Sequence, residues 1–267
     1  RWMNIDPLAE KYYDESSYNY TLNNPIFFID PNEERVDVTD LKNGGTDEDK
    51  WLLVQLMMNL SEISGEIIST RTDKNGNTIL ALGDCNSSTM ASSYISNLIN
   101  DNSNTIRVKN NSSDETVDKR TGRKNRTYGS RATASGDIYL DANQINSLQE
   151  SLNAVDINGE SMNTGFIFLH ETLHTKYGAS FYNSNSDNSE KDKYGRFPDI
   201  QGFFVDQGGS TVNRVNVFRK QMGLSRRLSY SSWDPENPGS ITFEKDGNPI
   251  TVPIVSSYKF INSKKVF

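Results

Sequence analysis

The sequence of 267 residues contains few cysteines and few histidines, and both shortages narrow the chemistry available to it. Cys85 is the single cysteine, so an intramolecular disulfide and a cysteine-based zinc cluster are both excluded. A Cys-His nucleophilic pair would need one of the two histidines, and both belong to another motif described below. We therefore expect Cys85 to be a buried structural residue. No apolar run reaches the roughly 18 residues of a membrane-spanning helix, so no membrane span is expected.

The charge balance is acidic, with a formal net charge of -7. Such a chain has no general attraction to nucleic-acid phosphates, which argues against a nuclease or a DNA-binding protein. Residues 119–131 form a local basic segment, but their Gly, Asn and Thr content favours a solvated loop. We therefore expect no nucleic-acid partner.

The first 35 residues differ in character from the rest of the chain. They are rich in Tyr, Asn and Pro, and the steps Asp6-Pro7 and Asp30-Pro31 are typical of turns. Because the sequence opens on Arg1, we expect a fragment of a longer chain or a processed product. Residues 36–46 are predicted to be a linker, and residues 47–267 a single functional domain.

Residues 1–31 resemble the C-terminal end of the Rhs/YD-repeat core. The shared form is R-[FW]-x-x-x-D-P-L-A-E-K-Y, followed by Y-x-Y-x-x-N-N-P-x-x-x-I-D-P, and Asn32-Glu33 depart from the glycine-containing continuation usual in that family. The resemblance implies a short β- and turn-rich core remnant over residues 1–35, with a toxin after about residue 36. It also implies delivery into competing cells as part of a larger secreted bacterial Rhs protein, and a cognate immunity protein as partner.

The pattern of apolar and turn-forming residues after residue 46 predicts an α+β fold. Thr46 is a candidate N-cap for a helix over residues 47–68. Its expected apolar face contains Trp51, Leu52, Val54, Leu56, Met57, Leu60 and Ile63. Further helices are predicted at 88–100, 143–152, 162–177 and 212–222, with a strand at 136–141, hairpins at Asn75-Gly76 and Asp246-Gly247, and a loop-rich segment at 101–135.

Both histidines fall in one H-E-x-x-H motif, formed by His170, Glu171 and His174. On a helix, side chains four residues apart lie on one face, so two imidazoles can bind one Zn²⁺ ion. Zinc lowers the pKa of a bound water to about 7, and the glutamate of this motif acts as general base. The motif predicts a zincin-like metallopeptidase that hydrolyses a protein substrate.

A catalytic zinc site needs three protein ligands plus water, and the chain has no third histidine. The third ligand is therefore expected to be a carboxylate. Asp206 is our preferred candidate, because it follows the apolar stretch at 202–205 and directly precedes the predicted helix at 212–222.

A second resemblance covers residues 212–230, which are similar to the stretch after H-E-x-x-H in bacterial effector and polymorphic-toxin zinc peptidases. The matching residues are Val212, Asn216, Arg219, Gly223, Leu224, Arg227 and Tyr230, whereas Gly209 stands where such proteins usually carry a glutamate. Arg227 and Tyr230 also resemble the arginine–tyrosine pair of clostridial neurotoxin light chains. That resemblance implies that both residues stabilise the developing oxyanion.

Several alternatives remain open from the sequence. Tyr177 is either the oxyanion donor instead of the Arg227–Tyr230 pair or a core aromatic residue. Asp137 and Asp141 are either carboxylates that orient a histidine or strand-end turn residues. At the level of function, the rivals are a non-catalytic interaction or structural module with a degenerate H-E-x-x-H helix, and a nuclease toxin.

Overall fold

The structure is a computed structural model. It describes residues 35–83, 89–101, 105–111, 115–117, 124–126, 129–133, 136–178, 209–229, 232–233 and 238–253. These residues belong to one compact unit, which spans Glu34–Phe267. The Rhs-like signature at residues 1–31 lies outside them. Helices and strands are mixed, which is compatible with the α+β class predicted from the sequence.

The helices are α1 (Thr39–Asn43), α2 (Asp47–Ser64), α3 (Met90–Asn100), α4 (Ala142–Asn153), α5 (Thr164–Thr172) and α6 (Gly209–Gln221), with a 3-10 helix at Gly159–Met162 before α5. The strands are β1 (Val36–Asp37), β2 (Ile68–Thr72), β3 (Thr78–Leu82), β4 (Ile106–Asn110), β5 (Glu115–Val117), β6 (Lys124–Arg126), β7 (Arg131–Ala132), β8 (Asp137–Leu140), β9 (Ser232–Trp233), β10 (Pro238–Lys245) and β11 (Asn248–Pro253). Among the described residues, none of these helices is long and apolar enough to cross a membrane.

The main sheet has the strand order β2-β3-β1-β4-β8-β7. Its centre is parallel, because β4 pairs in parallel with both β1 and β8, whereas β2, β3 and β7 are antiparallel to their neighbours. Val108 on β4 lies opposite Ile138 on β8, and both are fully buried. Strand β7 lies at one edge of the sheet, and it is this edge that adjoins the site described below.

Residues 36–46 are part of the core rather than the linker predicted from the sequence. They contain β1 and α1, and Val36, Val38 and Leu41 are all fully buried. Strand β1 is inserted between β3 and β4. A strand of two residues is too short to give a recognisable alternation, which is why composition alone suggested a linker.

The segment 101–135, which was predicted to be loop-rich, supplies a central strand of the sheet. In β4 the residues Ile106, Val108 and Asn110 are buried, while Arg107 between them is exposed. This is the alternation expected of a strand, but it is set among polar residues and contains only two apolar ones. The edge strand β7 comes from the same segment.

Both predicted hairpins are confirmed. Gly76, in the turn between β2 and β3, has a φ of 85°. Asp246 and Gly247 join β10 to β11 with φ values of 51° and 77°. A two-residue type I′ turn requires such positive φ values at both central residues.

Helix α2 begins as predicted and ends earlier than predicted. Thr46 and Asp49 form a reciprocal capping box, and Gly65, with a φ of 73°, ends the helix after Ser64. The expected apolar face needs one correction, since Leu53 is buried and Val54 is 46 % exposed. Leu52, Leu56, Leu60 and Ile63 are buried as expected.

The contact between α2 and α5 depends on the absence of a side chain at Gly165. A Cβ atom there would lie 2.8 Å from Cβ of Asn59 and 3.0 Å from Cδ1 of Ile63. Across the same contact, the backbone N–H of Gly165 donates to Oδ1 of Asn59 at 3.4 Å. The glycine therefore lets the helix with the H-E-x-x-H motif approach α2 closely.

We expect Gly165→Ala to destabilise the protein, because the new methyl group would push α5 away from α2. Overpacking of this kind costs about 1–3 kcal/mol, against a gain in helix propensity of up to about 1 kcal/mol. Urea unfolding should show a net loss of unfolding free energy of about 1–2 kcal/mol. Asn146→Ala, at an exposed position of α4, is the control, and equal stability of the two variants would contradict the packing argument.

We also expect a pH-dependent contribution from Asp49. Burial alone would raise the pKa of this carboxyl, but hydrogen bonds from Thr46 and Asn110 outweigh burial and lower the pKa below its usual value of 3.8. Because the folded-state pKa is lowered, the stabilisation is present above pH 3.8 and is lost as the pH falls through the folded-state pKa. Asp49→Asn should cost about 1 kcal/mol of unfolding free energy at neutral pH, and this difference should shrink in acid. Unfolding curves at a series of pH values would measure it, and a constant difference would contradict it.

Candidate metal centre

Helix α5 is short, and its ends are set by side chains that bond to the backbone. Asn163 caps the start by accepting a hydrogen bond from the N–H of Phe166 at 2.9 Å. The hydroxyl of Thr172 donates to the carbonyl of Leu169 at 2.7 Å, and that of Thr175 donates to the carbonyl of Thr172 at 2.6 Å. Such bonds compete with the helical pattern, so the helix is shorter at both ends than the predicted span of 162–177.

His174 therefore follows α5 in a tighter turn, in which its N–H donates to the carbonyl of Glu171 at 3.1 Å. The two imidazoles still come together as the motif predicts: their Nε2 atoms are 3.4 Å apart, and the ring planes are inclined at 74°. Two nitrogen ligands of one tetrahedral zinc ion, each about 2.0–2.1 Å from it, would be about 3.3 Å apart. The separation also fits a hydrogen bond between the rings in the metal-free protein.

Both histidines are in environments that favour the neutral imidazole. Burial and the charges of Arg227, His174 and Arg219 hold the pKa of His170 well below its usual range. The pKa of His174 is lowered by the part of its ring that is buried, although the residue keeps an exposed side. A metal ion binds the neutral ring, so the donor set fits Zn²⁺ in chemistry as well as in spacing.

Glu171 lies between the two histidines in sequence and points into the same pocket. Burial raises the pKa of its carboxyl to about 7, while the backbone N–H of Ala132 and the charge of Arg227 act in the opposite direction. Ala132 belongs to the edge strand β7. The carboxylate is therefore held between the helix and the edge of the sheet.

The pocket around these three residues has a volume of about 460 Å³. Its described wall includes the charged residues Arg131, Glu171, Arg219 and Arg227. Apolar side chains complete much of the surface, including Leu148, Met162, Phe166, Ile167 and Ile241. Polar groups that converge in a partly apolar cleft are typical of a ligand or substrate site.

Hydrogen bonds from two neighbouring elements hold the backbone around Arg227 in place beside the pocket. The side chain of Asn216 on α6 accepts a hydrogen bond from the N–H of Arg227 at 3.0 Å and donates one to its carbonyl at 2.7 Å. On the other side, the neighbouring N–H of Leu228 donates to Thr242 on β10 at 2.7 Å. We name this arrangement the Asn216 clamp, because one amide side chain satisfies both polar groups of the Arg227 backbone.

Arg219, one turn along α6 from Asn216, is 1 % exposed. Its Nε donates to the carbonyl of Ser161 at 2.7 Å, and its Nη1 donates to Oδ1 of Asn216 at 3.2 Å. The guanidinium group also lies 5.1 Å from the ring centre of Phe166. Arg219 and Asn216 both lie in the stretch whose resemblance to toxin peptidases was noted from the sequence, and neither was assigned a role there.

The remaining predicted site residues divide into two groups. Asp206 and Tyr230 lie outside the described residues, as does Cys85, which was expected to be structural. Within the described part of the chain, no group of three His, Cys, Asp or Glu side chains is arranged to hold a metal ion. Tyr177 is a core aromatic residue, 5 % exposed, whose hydroxyl donates to the carbonyl of Tyr94 at 3.2 Å.

The two aspartates near β8 have structural partners. Asp141 caps α4 by accepting a hydrogen bond from the N–H of Gln144 at 3.0 Å. Asp137 pairs with Lys109 at 3.3 Å and with Arg107 at 3.7 Å. These contacts fit the strand-end role that was one of the two alternatives from the sequence.

Comparison with known proteins adds no relative, since no family model, curated protein or solved structure matches the chain.

We expect the purified protein to contain about one zinc ion per chain, because the His170–His174 spacing suits a shared metal. His174→Ala should lose the zinc, since removal of one imidazole leaves too few ligands. Elemental analysis of wild type, His174→Ala and the neighbouring surface control Lys176→Ala measures this directly. Zinc absent from the wild type even after reconstitution would contradict the assignment.

Proposed function

We propose that the chain is a zinc-dependent endopeptidase that acts as the C-terminal toxin of an Rhs-type protein. The observation that carries the proposal is the convergence of the two Nε2 atoms, 3.4 Å apart, with the buried Glu171 in one pocket. Any helix with histidines at i and i+4 brings their rings together, so the informative part is that both rings and Glu171 open onto one cavity.

In this proposal, each described residue has a separate task. His170 and His174 would hold Zn²⁺, with Asp206 as the proposed third ligand. When bound, zinc acidifies a water molecule and polarises the scissile carbonyl. Glu171 would take the proton from that water as general base and pass it to the leaving amine as general acid.

Arg227 supplies the positive charge for the oxyanion that develops on the scissile carbonyl. Its guanidinium lies in the wall of the same pocket, and its backbone is held by the Asn216 clamp, so little rearrangement is needed during the reaction. Tyr230 is proposed as its partner in this role, on the resemblance of the Arg–Tyr pair alone.

A zincin-like arrangement is supported by the position of α5 beside a sheet edge. The edge strand β7 lines the pocket, and the N–H of Ala132 reaches the general base. An edge strand can pair with an extended peptide through backbone hydrogen bonds, which suits an enzyme that cuts a protein chain. Delivery into target cells and neutralisation by an immunity protein are proposed from the Rhs resemblance.

We expect Glu171→Gln to abolish toxicity while zinc remains bound. The amide cannot accept the proton of the attacking water, and loss of a general base typically costs about 100- to 10,000-fold in rate. Growth after induction in bacteria without an immunity protein, measured with the zinc content of the purified variant, checks both parts. Glu150→Gln, an exposed glutamate on α4, is the matched control.

Unchanged toxicity of Glu171→Gln would overturn the peptidase proposal. Degradation of plasmid DNA or tRNA by the purified wild type would then favour the nuclease alternative. A wild type that binds zinc, is harmless to cells and cuts no protein would favour an interaction module.

A further inference from the structure

Arg219 is a buried charge that the mechanism above does not use. The residue is 1 % exposed, and its described hydrogen-bond partners are a carbonyl oxygen, an amide oxygen and the sulfur of Met162. All three are neutral, and no carboxylate among the described residues forms an ion pair with Arg219. A guanidinium buried in this way normally requires an anionic partner, because removing its charge from water costs several kcal/mol.

Arg219 nevertheless forms part of the pocket wall. It lies there together with Arg131 and Arg227. Glu171 is the one acidic side chain in the described wall. A chain with a net charge of -7 therefore places a concentration of positive charge next to its proposed reaction centre.

The hydrogen bonds within the described protein do not use the full donor capacity of the Arg219 guanidinium. The three described acceptors take one hydrogen each, whereas the group carries five. One hydrogen on each terminal nitrogen has no described acceptor, and a carboxylate is the acceptor whose geometry matches such a pair best.

We propose that this pocket recognises a substrate carboxylate, with Arg219 as the specificity-determining residue. The proposal rests on the proposed peptidase function, and it assigns the substrate class as a peptide with an Asp or Glu residue beside the scissile bond. Arg227 serves the oxyanion and Arg219 the substrate carboxylate. A pocket of about 460 Å³ has room for one such side chain and the adjoining backbone.

The test measures binding separately from hydrolysis, using the full-length Glu171→Gln protein loaded with zinc. Pools of random hexapeptides with acetylated and amidated ends carry either Asp/Glu or Asn/Gln at one fixed position, and captured peptides are counted by mass spectrometry. We expect the acidic pools to be captured at least about ten-fold more than the amide pools, as one charge-assisted contact allows.

Adding Arg219→Gln should remove this preference, and Arg219→Lys should retain part of it, which separates charge recognition from loss of folding. Arg107→Gln, a surface variant with the same change in net charge, should leave the preference unchanged. Equal capture of acidic and amide pools, or a preference unaffected by Arg219→Gln, would overturn the inference.

A third set of pools, with Asn/Gln at the fixed position and a free C-terminus, identifies the source of the carboxylate. Selective capture of that set would keep carboxylate recognition by Arg219 but would overturn its assignment to a side chain. Cleavage of the same pools by the wild type distinguishes the two proposals. An acid preference in binding without cleavage supports the pocket inference and contradicts the peptidase proposal. Cleavage without any acid preference supports the peptidase proposal and contradicts the pocket inference.

Discussion

All nine residues of α5 are buried, although the helix carries a histidine, a glutamate and two threonines. Burial of polar groups is tolerated where each finds a hydrogen-bond partner, and this requirement determines what surrounds the helix. The hydroxyl groups of Tyr94 and Thr172 form a hydrogen bond of 2.8 Å, and the backbone N–H of Ala132 donates to the carboxylate of Glu171. The neighbouring helix and the sheet edge thus supply partners for polar groups of α5.

The same burial gives the candidate site its electrostatic character. Low exposure to water favours neutral imidazoles and a glutamate that is readily protonated, and it strengthens every interaction with the guanidinium groups nearby. Arg219 and Arg227 both lie within this environment, and each lowers the pKa of His170. A metal ion and an anionic ligand would each find complementary groups already in place, so binding would need little reorganisation of the protein.

The sequence was most informative where a residue type has one strong conformational preference. Thr46 and the Asp246-Gly247 turn follow from backbone and capping chemistry, and the structure has them at the expected positions. The H-E-x-x-H motif was also recognisable, because two histidines at i and i+4 with a glutamate between them are typical of a zinc-binding helix. These signals are local, and they need no knowledge of the tertiary fold.

What could not be predicted depended on contacts between distant segments. Strand β1 has two residues and is stabilised by pairing with β3 and β4, which no local pattern can reveal. Ala132 acts through its backbone N–H, so its side chain gives no indication of its contact with Glu171. The early end of α5 likewise results from threonine hydroxyls that could equally have faced solvent.

The Asn216 clamp has a consequence for which sequences this fold can accept. One primary amide provides a donor and an acceptor, 2.7 Å and 3.0 Å from the two backbone groups of Arg227. Aspartate would set an acceptor against a carbonyl oxygen, and leucine of similar size would satisfy neither group. Position 216 should therefore show very low mutational tolerance, although its side chain would never touch the substrate. In a saturation library it would resemble a catalytic position for reasons that are entirely architectural.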